Sequence, residues 1–410
     1  MRVLFISDVY FPRVNGVSTS IRTFRGDLAQ LGVESILVAP AYPNAPADTD
    51  TSIIRVPSGG VPRDPEDRRF LGAPLRAALN ATLAASVDLV HIHTPFIAHY
   101  AGVRFARTHG LPVVATYHTF FEDYLHHYVP ILPRGIGRFL ARRFTRSQCA
   151  DVAALISPSA PMRDALLAYG VETPIEVLPT GLPEMSFVRG DGARFRRQFK
   201  LPPARPLLLY VGRVAFEKNI DFLLRMFVKL RAHRPDALFV IAGEGPALPA
   251  LGKLARELGI AEHVRFIGYL DRNTDLPNCY AAGDAFVFAS RTETQGLVLL
   301  EAMAQGTPVV STAELGTRSI LTEGCGAFVM PENEEMFAAG TAAALEVGPA
   351  APRRAQLRAH AESWASQAMA RRLISFYERV RAEHASTALV QLHKIERGPI
   401  GTPSRVERSS

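Results

Sequence analysis

The sequence predicts an α/β protein built from two doubly wound domains that face each other across a cleft. Three observations predict it. Short, wholly apolar runs alternate with amphipathic segments, the pattern of parallel strands buried on both faces and crossed by helices. The alternation comes in two successive series of similar size. A polar, proline-rich stretch near residues 183–205 separates them.

The first series opens with the strand "RVLFIS", a loop "DVYFPRVNG" and the helical "VSTSIRTFRGDLAQLG", which Gly32 closes as a C-cap. "ESILVAP" completes a βαβ unit. "VDLVHIH", "LPVVATYH" and "VAALISPS" continue it. The second series runs through "RPLLLYVGR", "ALFVIAGEG", "HVRFIGYL", "AFVFAS" and "TPVVST", with "NIDFLLRMFVKLRAH" and "PALPALGKLARELG" among its helices. This divides the chain into a first domain, 1–187, and a second, 188–369. A helix at about 370–388 is expected to pack back on the first domain. Residues 389–410 lack a sustained period and read as a disordered tail.

Composition limits the function. The chain has 410 residues, 48% hydrophobic and 21% charged, a globular profile. No apolar run approaches the roughly 18 residues of a membrane span. The N-terminus lacks the apolar core and cleavage site of a signal peptide, and three scattered cysteines make no metal spacing. A cytoplasmic protein is expected. The net charge of +7 favours phosphate-bearing partners. No nucleic-acid recognition motif accompanies it, and outside one helix the arginines are dispersed.

Ligands of such sheets bind at the carboxyl ends of strands, so chemistry-bearing residues there matter most. In "SRTETQGLVLLEAM", Glu293 and Glu301 lie where a strand gives way to a helix starting near Gly296, capped by Thr292 or Thr294. The N–H groups of Gly296 and Leu297 then make an anion site, and the carboxylates accept hydrogen bonds from vicinal hydroxyls of a ribose or hexose. Read alone, the two glutamates could equally be solvated surface residues. In "YVGRVAFEKN", Arg213 and Lys218 flank a strand end and could clamp a diphosphate. Gly16 in "FPRVNGVSTS" lets backbone approach an anion, but the loop is not G-x-G-x-x-G, which argues against a nicotinamide cofactor. Asp48 and Asp50 form a D-x-D string in a polar loop and read as surface.

These motifs, in this order, resemble those of family 4 retaining glycosyltransferases with the GT-B fold, and the resemblance covers roughly residues 1–385. It implies that Arg213 and Lys218 bind the donor diphosphate, Glu293 the hexose and Glu301 the ribose. Gly16 would approach the diphosphate from the first domain, and the backbone of Gly268 and Tyr269 would border the base. Gln295 stands where many members have Phe, as in the lipid-glycosylating branch, and is placed with Gly296 and Leu297 against the donor. The resemblance also places His118 against the reacting sugar, and it implies that the leaving phosphate takes the acceptor proton. Catalysis is thus expected of His118, Glu293, Arg213 and Lys218. Fixed cations rather than a metal would stabilise the leaving group, with no cofactor.

The acceptor side is read from "YHTFFEDYLHHYVPILPRGIGRFLARRF". It resembles the matching segment of bacterial diacylglycerol glucosyltransferases. Tyr117, Phe121, Glu122 and Tyr128 are expected to meet the acceptor. Ile136, Phe139, Leu140 and Phe144 share one helical face, and Arg134, Arg138 and Arg142 another, with Arg143 beside them. Such a helix either docks on an anionic membrane, on the inner face of the cell membrane, or packs its apolar face on the first sheet. The expected donor is a UDP-sugar, UDP-glucose first, with a GDP-sugar as the alternative. Phosphatidylinositol or a polyol is the alternative acceptor. His91 and His93 in "VHIHTP" leave a metal-dependent hydrolase as a remote rival.

Overall fold

The computed structural model describes residues 1–396 except 44, 46, 62–63, 119–133, 273 and 349–350. The first half builds β1 (Arg2–Ile6), β2 (Glu34–Pro40), β3 (Ile53–Val56), an antiparallel hairpin of β4 (Ser58–Val61) and β5 (Asp64–Phe70), then β6 (Leu89–Ile92), β7 (Val113–Thr116), β8 (Ala154–Ser157) and β9 (Ile175–Val177). Without the hairpin these form one parallel sheet, ordered β3-β2-β1-β6-β7-β8-β9. The second half builds β10 (Leu207–Val211), β11 (Leu238–Ala242), β12 (Val264–Gly268), β13 (Ala285–Phe288), β14 (Val309–Ser311) and β15 (Phe328–Val329). Their parallel order is β12-β11-β10-β13-β14-β15.

Every residue of β10, β11 and β13 is buried, which is why these strands are unbroken apolar runs. Both sheets reverse direction of winding beside their first strand: β1 lies between β2 and β6, and β10 between β11 and β13. The loops after those strands part there and leave a crevice at the carboxyl ends. Helix Gly16–Gln30 follows β1 and is started by Asn15, whose side chain accepts from the Ser18 N–H at 2.8 Å.

The final helix, Ser366–Glu396, returns to the first sheet. Its Leu373, Phe376, Tyr377 and Val380 pack with Ile21, Phe24 and Leu28 of helix Gly16–Gln30 over Val3 and Phe5. It starts before residue 370 and continues past 388, correcting the expectation that a tail begins at 389. From Ser366 to Glu396 there is no Gly or Pro to stop it; the first are Gly398 and Pro399. The rest of the expected tail, 397–410, lies outside the described residues.

Two chain crossings join the halves, and they touch. Leu182 N–H donates to the Trp364 carbonyl and Ser366 N–H to the Leu182 carbonyl, both at 2.8 Å. The approach requires glycine at 181. A Cβ there would stand 2.4 Å from Ser366 Cα and 2.7 Å from its nitrogen. Just beyond, the strap to the second sheet is fastened by Gln305, which donates to the carbonyls of Ser186 (2.8 Å) and Val188 (2.9 Å) and accepts from Gly190 N–H (2.9 Å).

Candidate active site

The second sheet supplies most of the charged groups. After β10 the chain passes Gly212 and Arg213 into a 3₁₀ turn, Phe216–Lys218. The Asn219 amide donates to the Ala289 carbonyl at 3.2 Å, fixing this turn against the loop after β13. Lys218 and Glu293 meet there as a hydrogen-bonded ion pair, each about one-fifth exposed. Arg213, on the same loop, has Glu217 at 3.7 Å.

Gly296, at φ +94°, turns the chain directly into helix Leu297–Ala304. Neither Thr292 nor Thr294 caps it, because the left-handed glycine itself occupies the cap position. Glu301 is 7% exposed, and both its oxygens are engaged. Arg272 donates to Oε1, and the Tyr280 hydroxyl to Oε2 at 2.8 Å. The attraction of Glu301 raises the Arg272 pKa above its ordinary value. Burial, with Glu301 beside it, pushes the Tyr280 hydroxyl well up. Sequence reasoning missed both partners. Only the place of Arg272, just past the end of β12, marked it. Gly268 has φ +73°, its carbonyl accepts from Gly243 N–H at 2.8 Å, and Tyr269 beside it is half exposed.

From the first sheet, β1 leads to Gly16, where no atom stands within 4 Å of a Cβ position. β6 and β7 deliver three imidazoles. His118 Nε2 lies 3.2 Å from His93 Nδ1, and the rings stack. His91 has both nitrogens engaged, Nδ1 by the Tyr377 hydroxyl (2.6 Å) and Nε2 by Thr116 Oγ1 (2.7 Å). That arrangement removes it from metal binding. Burial drives His118 down to about 4; burial and the neighbouring rings drive His91 and His93 well below their ordinary range. The cluster is therefore neutral near pH 7. Among the described residues, no group of three or more His, Cys, Asp or Glu could hold a metal ion. Asp48 and Asp50 are tied to Arg55 (2.7 Å) and Arg25 (3.0 Å) in the loop after β2.

Three expectations are corrected. Gln295 does not turn toward a donor: its amide is buried and bonded to the Thr180 backbone. Tyr117 is buried, with its hydroxyl 3.0 Å from Thr145 Oγ1, because neighbouring residues at a strand end face opposite ways and it is His118 that turns toward His93. Arg142 turns back over the Tyr169 ring at 4.9 Å rather than outward. Phe121, Glu122 and Tyr128 lie outside the described residues.

Helix Arg134–Ala150 also differs from the simpler expectation. It packs through Ala141, Thr145, Gln148 and Cys149, with Phe144 partly buried beside them, and leaves its other large apolar residues out. Ile136, Phe139 and Leu140 are 53%, 65% and 45% exposed, beside exposed Arg138 and Arg143. Gln148 donates to the Pro95 carbonyl, which sets this helix next to exposed Phe96 and Tyr100.

Two parallel, doubly wound sheets with a cation and carboxylate cluster at the carboxyl ends of one and imidazoles at the other define a glycosyltransferase of GT-B architecture. The comparisons agree. The family model "Glycosyltransferase Family 4" matches residues 14–184, and "Glycosyl transferases group 1" matches 191–364. An alpha-monoglucosyldiacylglycerol synthase of Streptococcus pneumoniae (strain ATCC BAA-255 / R6) is 34% identical over 319 residues, 76% of this chain and 71% of that protein. Another, from Acholeplasma laidlawii, is 26% identical over 82% of this chain and 86% of its own length. The solved sucrose-phosphate synthase of Thermosynechococcus elongatus shares the fold, with a TM-score of 0.74 at 20% identity over 93% of this chain and 99% of that one. The chain belongs to glycosyltransferase family 4.

Proposed function

We propose that the enzyme transfers glucose from UDP-glucose to diacylglycerol at an anionic membrane surface, with retention and without a divalent metal. The observation that carries the acceptor assignment is the exposed apolar group Ile136, Phe139 and Leu140 with Arg138 and Arg143 beside it. Apolar residues that a globular protein would bury are here left out next to cations, the requirement for resting on anionic lipid. The two relatives named above support the choice of diacylglycerol. Among the described residues no helix is long and apolar enough to cross a membrane.

In this reading Glu301, held by Arg272 and Tyr280, takes the ribose hydroxyls. The backbone at Gly268 and Tyr269 borders the base. The N–H groups of Gly296 and Leu297, with Gly16 opposite, receive the diphosphate. Glu293 accepts from the hexose hydroxyls. Cleavage of the bond between the anomeric carbon and the phosphate oxygen leaves negative charge on that oxygen, which Lys218 and Arg213 stabilise. The acceptor hydroxyl bonds to the anomeric carbon and its proton passes to the departing phosphate. His118, neutral at this pH, holds the sugar by a hydrogen bond and does not serve as the charged acid.

The test is a matrix of UDP-glucose, UDP-galactose and GDP-mannose against diacylglycerol, phosphatidylinositol and glycerol, with mass detection of product, with and without chelator. Monoglucosyldiacylglycerol from UDP-glucose, undiminished by chelator, is the expected result. Product only with another pair, or only with added Mg²⁺ or Mn²⁺, would overturn the corresponding part.

A further inference from the structure

Gln295 belongs to the second domain, two residues past Glu293, yet its side chain is spent on the first crossing between the domains. Its Oε1 accepts from Thr180 N–H at 2.9 Å, and its Nε2 donates to the Thr180 carbonyl at 2.5 Å. The side-chain amide thus pairs with one backbone unit as a neighbouring strand would. The bond is buried, with Gln295 6% and Thr180 4% exposed. Two further links adjoin it, one inside the first domain and one between the domains. Thr180 Oγ1 donates to Ser20 Oγ at 2.7 Å, on the helix that Gly16 begins. Ser159 Oγ, after β8, donates to the Thr294 carbonyl at 2.7 Å. Thr180 lies two residues before Leu182, where the two crossings bond to each other.

We propose that Gln295 is a positioning residue for transfer: it fastens the loop carrying Glu293 to the crossing that carries Thr180, and so sets the hexose in register with His118. The inference rests on the assignment of Glu293 to the transferred hexose. Glu301, Arg272 and Tyr280 lie outside this loop and within the second domain, so the ribose keeps its contacts without the link, and only the part of the nucleotide's affinity owed to Gly296, Leu297 and Gly16 is exposed to its loss. Transfer does need it, because His118 comes from one sheet and Glu293 from the other. Glutamine suits the position because it offers an acceptor to the N–H and a donor to the carbonyl of one buried residue, Thr180. A residue without them frees the loop, and a misplacement near 1 Å costs about a hundredfold in rate.

The test uses Gln295→Met, which keeps the volume and removes both bonds, and Ser159→Ala, which removes the parallel one. Turnover of UDP-glucose onto diacylglycerol in mixed micelles, the Kd for UDP by calorimetry, and thermal melting are measured on each. The expected result for Gln295→Met is a folded protein whose UDP affinity stays within about threefold while kcat falls about ten- to a hundredfold. Ser159→Ala should lower kcat about threefold at unchanged UDP affinity, reflecting one neutral hydrogen bond. Unchanged kcat in folded Gln295→Met would overturn the inference, as would UDP affinity falling in step with kcat. If Gln295→Met does not fold, unchanged kcat in Ser159→Ala overturns it. The wild type separates the two levels: no transfer by wild type strikes the functional reading, whereas equal rates for wild type and variant strike this inference alone.

Discussion

Arg272→Ala is the variant whose outcome the geometry specifies most closely. Glu301 is 8% exposed at its side chain and Arg272 23%. Truncation leaves an enclosed carboxylate with the Tyr280 hydroxyl as its remaining side-chain partner among the described residues. Breaking a buried pair from one side costs about 3–5 kcal/mol. Water can enter where the partly exposed guanidinium stood, so the lower end applies, about 2–3 kcal/mol after screening. In a Glu301→Gln background the buried charge is gone, and losing Arg272 should cost only about 1 kcal/mol, one ordinary hydrogen bond. The cycle therefore predicts a coupling of about 1–2 kcal/mol. Urea unfolding of the four proteins at pH 7 measures it. UDP titration should show weaker binding in both single variants, since each disturbs the carboxylate assigned to the ribose. Additive unfolding energies, or Arg272→Ala within about 0.5 kcal/mol of wild type, would refute the argument that Arg272 neutralises Glu301 in a closed site.

Glu293→Gln should lower kcat by about ten- to a hundredfold while UDP affinity stays near wild type, the loss of one charged hydrogen bond made to the hexose; an equal fall in UDP binding would contradict that placement. Replacing Arg138 and Arg143 by Ser should weaken sedimentation with anionic liposomes about thirtyfold, from about 1 kcal/mol per cation, and added salt should erase the difference. Gly181→Ala must push apart two backbone segments that already touch, costing about 1–3 kcal/mol in thermal or urea unfolding; a wild-type midpoint would show that the crossings give way freely. Acid stability follows from opposed groups. His118, depressed to about 4, and His91 and His93 resist protonation when folded, so their contribution is complete above about pH 6.5 and is lost as pH falls from there. Asp8 is raised by burial to about 6, so folding gains from its protonation as pH falls from 6 toward 4. Asp8→Asn should remove that gain and steepen the acid loss in unfolding midpoints from pH 8 to 4; a slope matching wild type would count against the buried Asp8.

Legibility followed distance along the chain. The strands could be read because burial on both faces makes each a continuous apolar run. The Glu293 and Lys218 loops could be read because they stand at strand ends, where such folds bind ligands. What those residues touch could not be read. Arg272 is 29 positions from Glu301, Thr180 is 115 from Gln295, and Tyr377 is 286 from His91. No local period encodes such pairs. Helix Arg134–Ala150 shows a different limit. Its apolar stripe was legible, but hydrophobicity does not say whether a stripe meets a protein core or a lipid surface. The small and polar residues that this helix buries gave no signal.

The contact between Leu182 and the Trp364–Ser366 segment gives the chain the topology of an insertion. The polypeptide leaves the first sheet, builds the whole second sheet, and re-enters within hydrogen-bond distance of its exit. The second half is therefore a cassette with adjacent ends, and its two seams need no linker to span a gap. Exchanging residues 183–364 with the matching segment of a relative should replace the donor-side groups as one unit. It would leave untouched the core that helix Ser366–Glu396 closes over the first sheet. Conversely, a truncation that stops before that helix removes Leu373, Phe376, Tyr377 and Val380 from above β1. It would damage the half of the molecule in which the chain begins rather than the half in which it is cut.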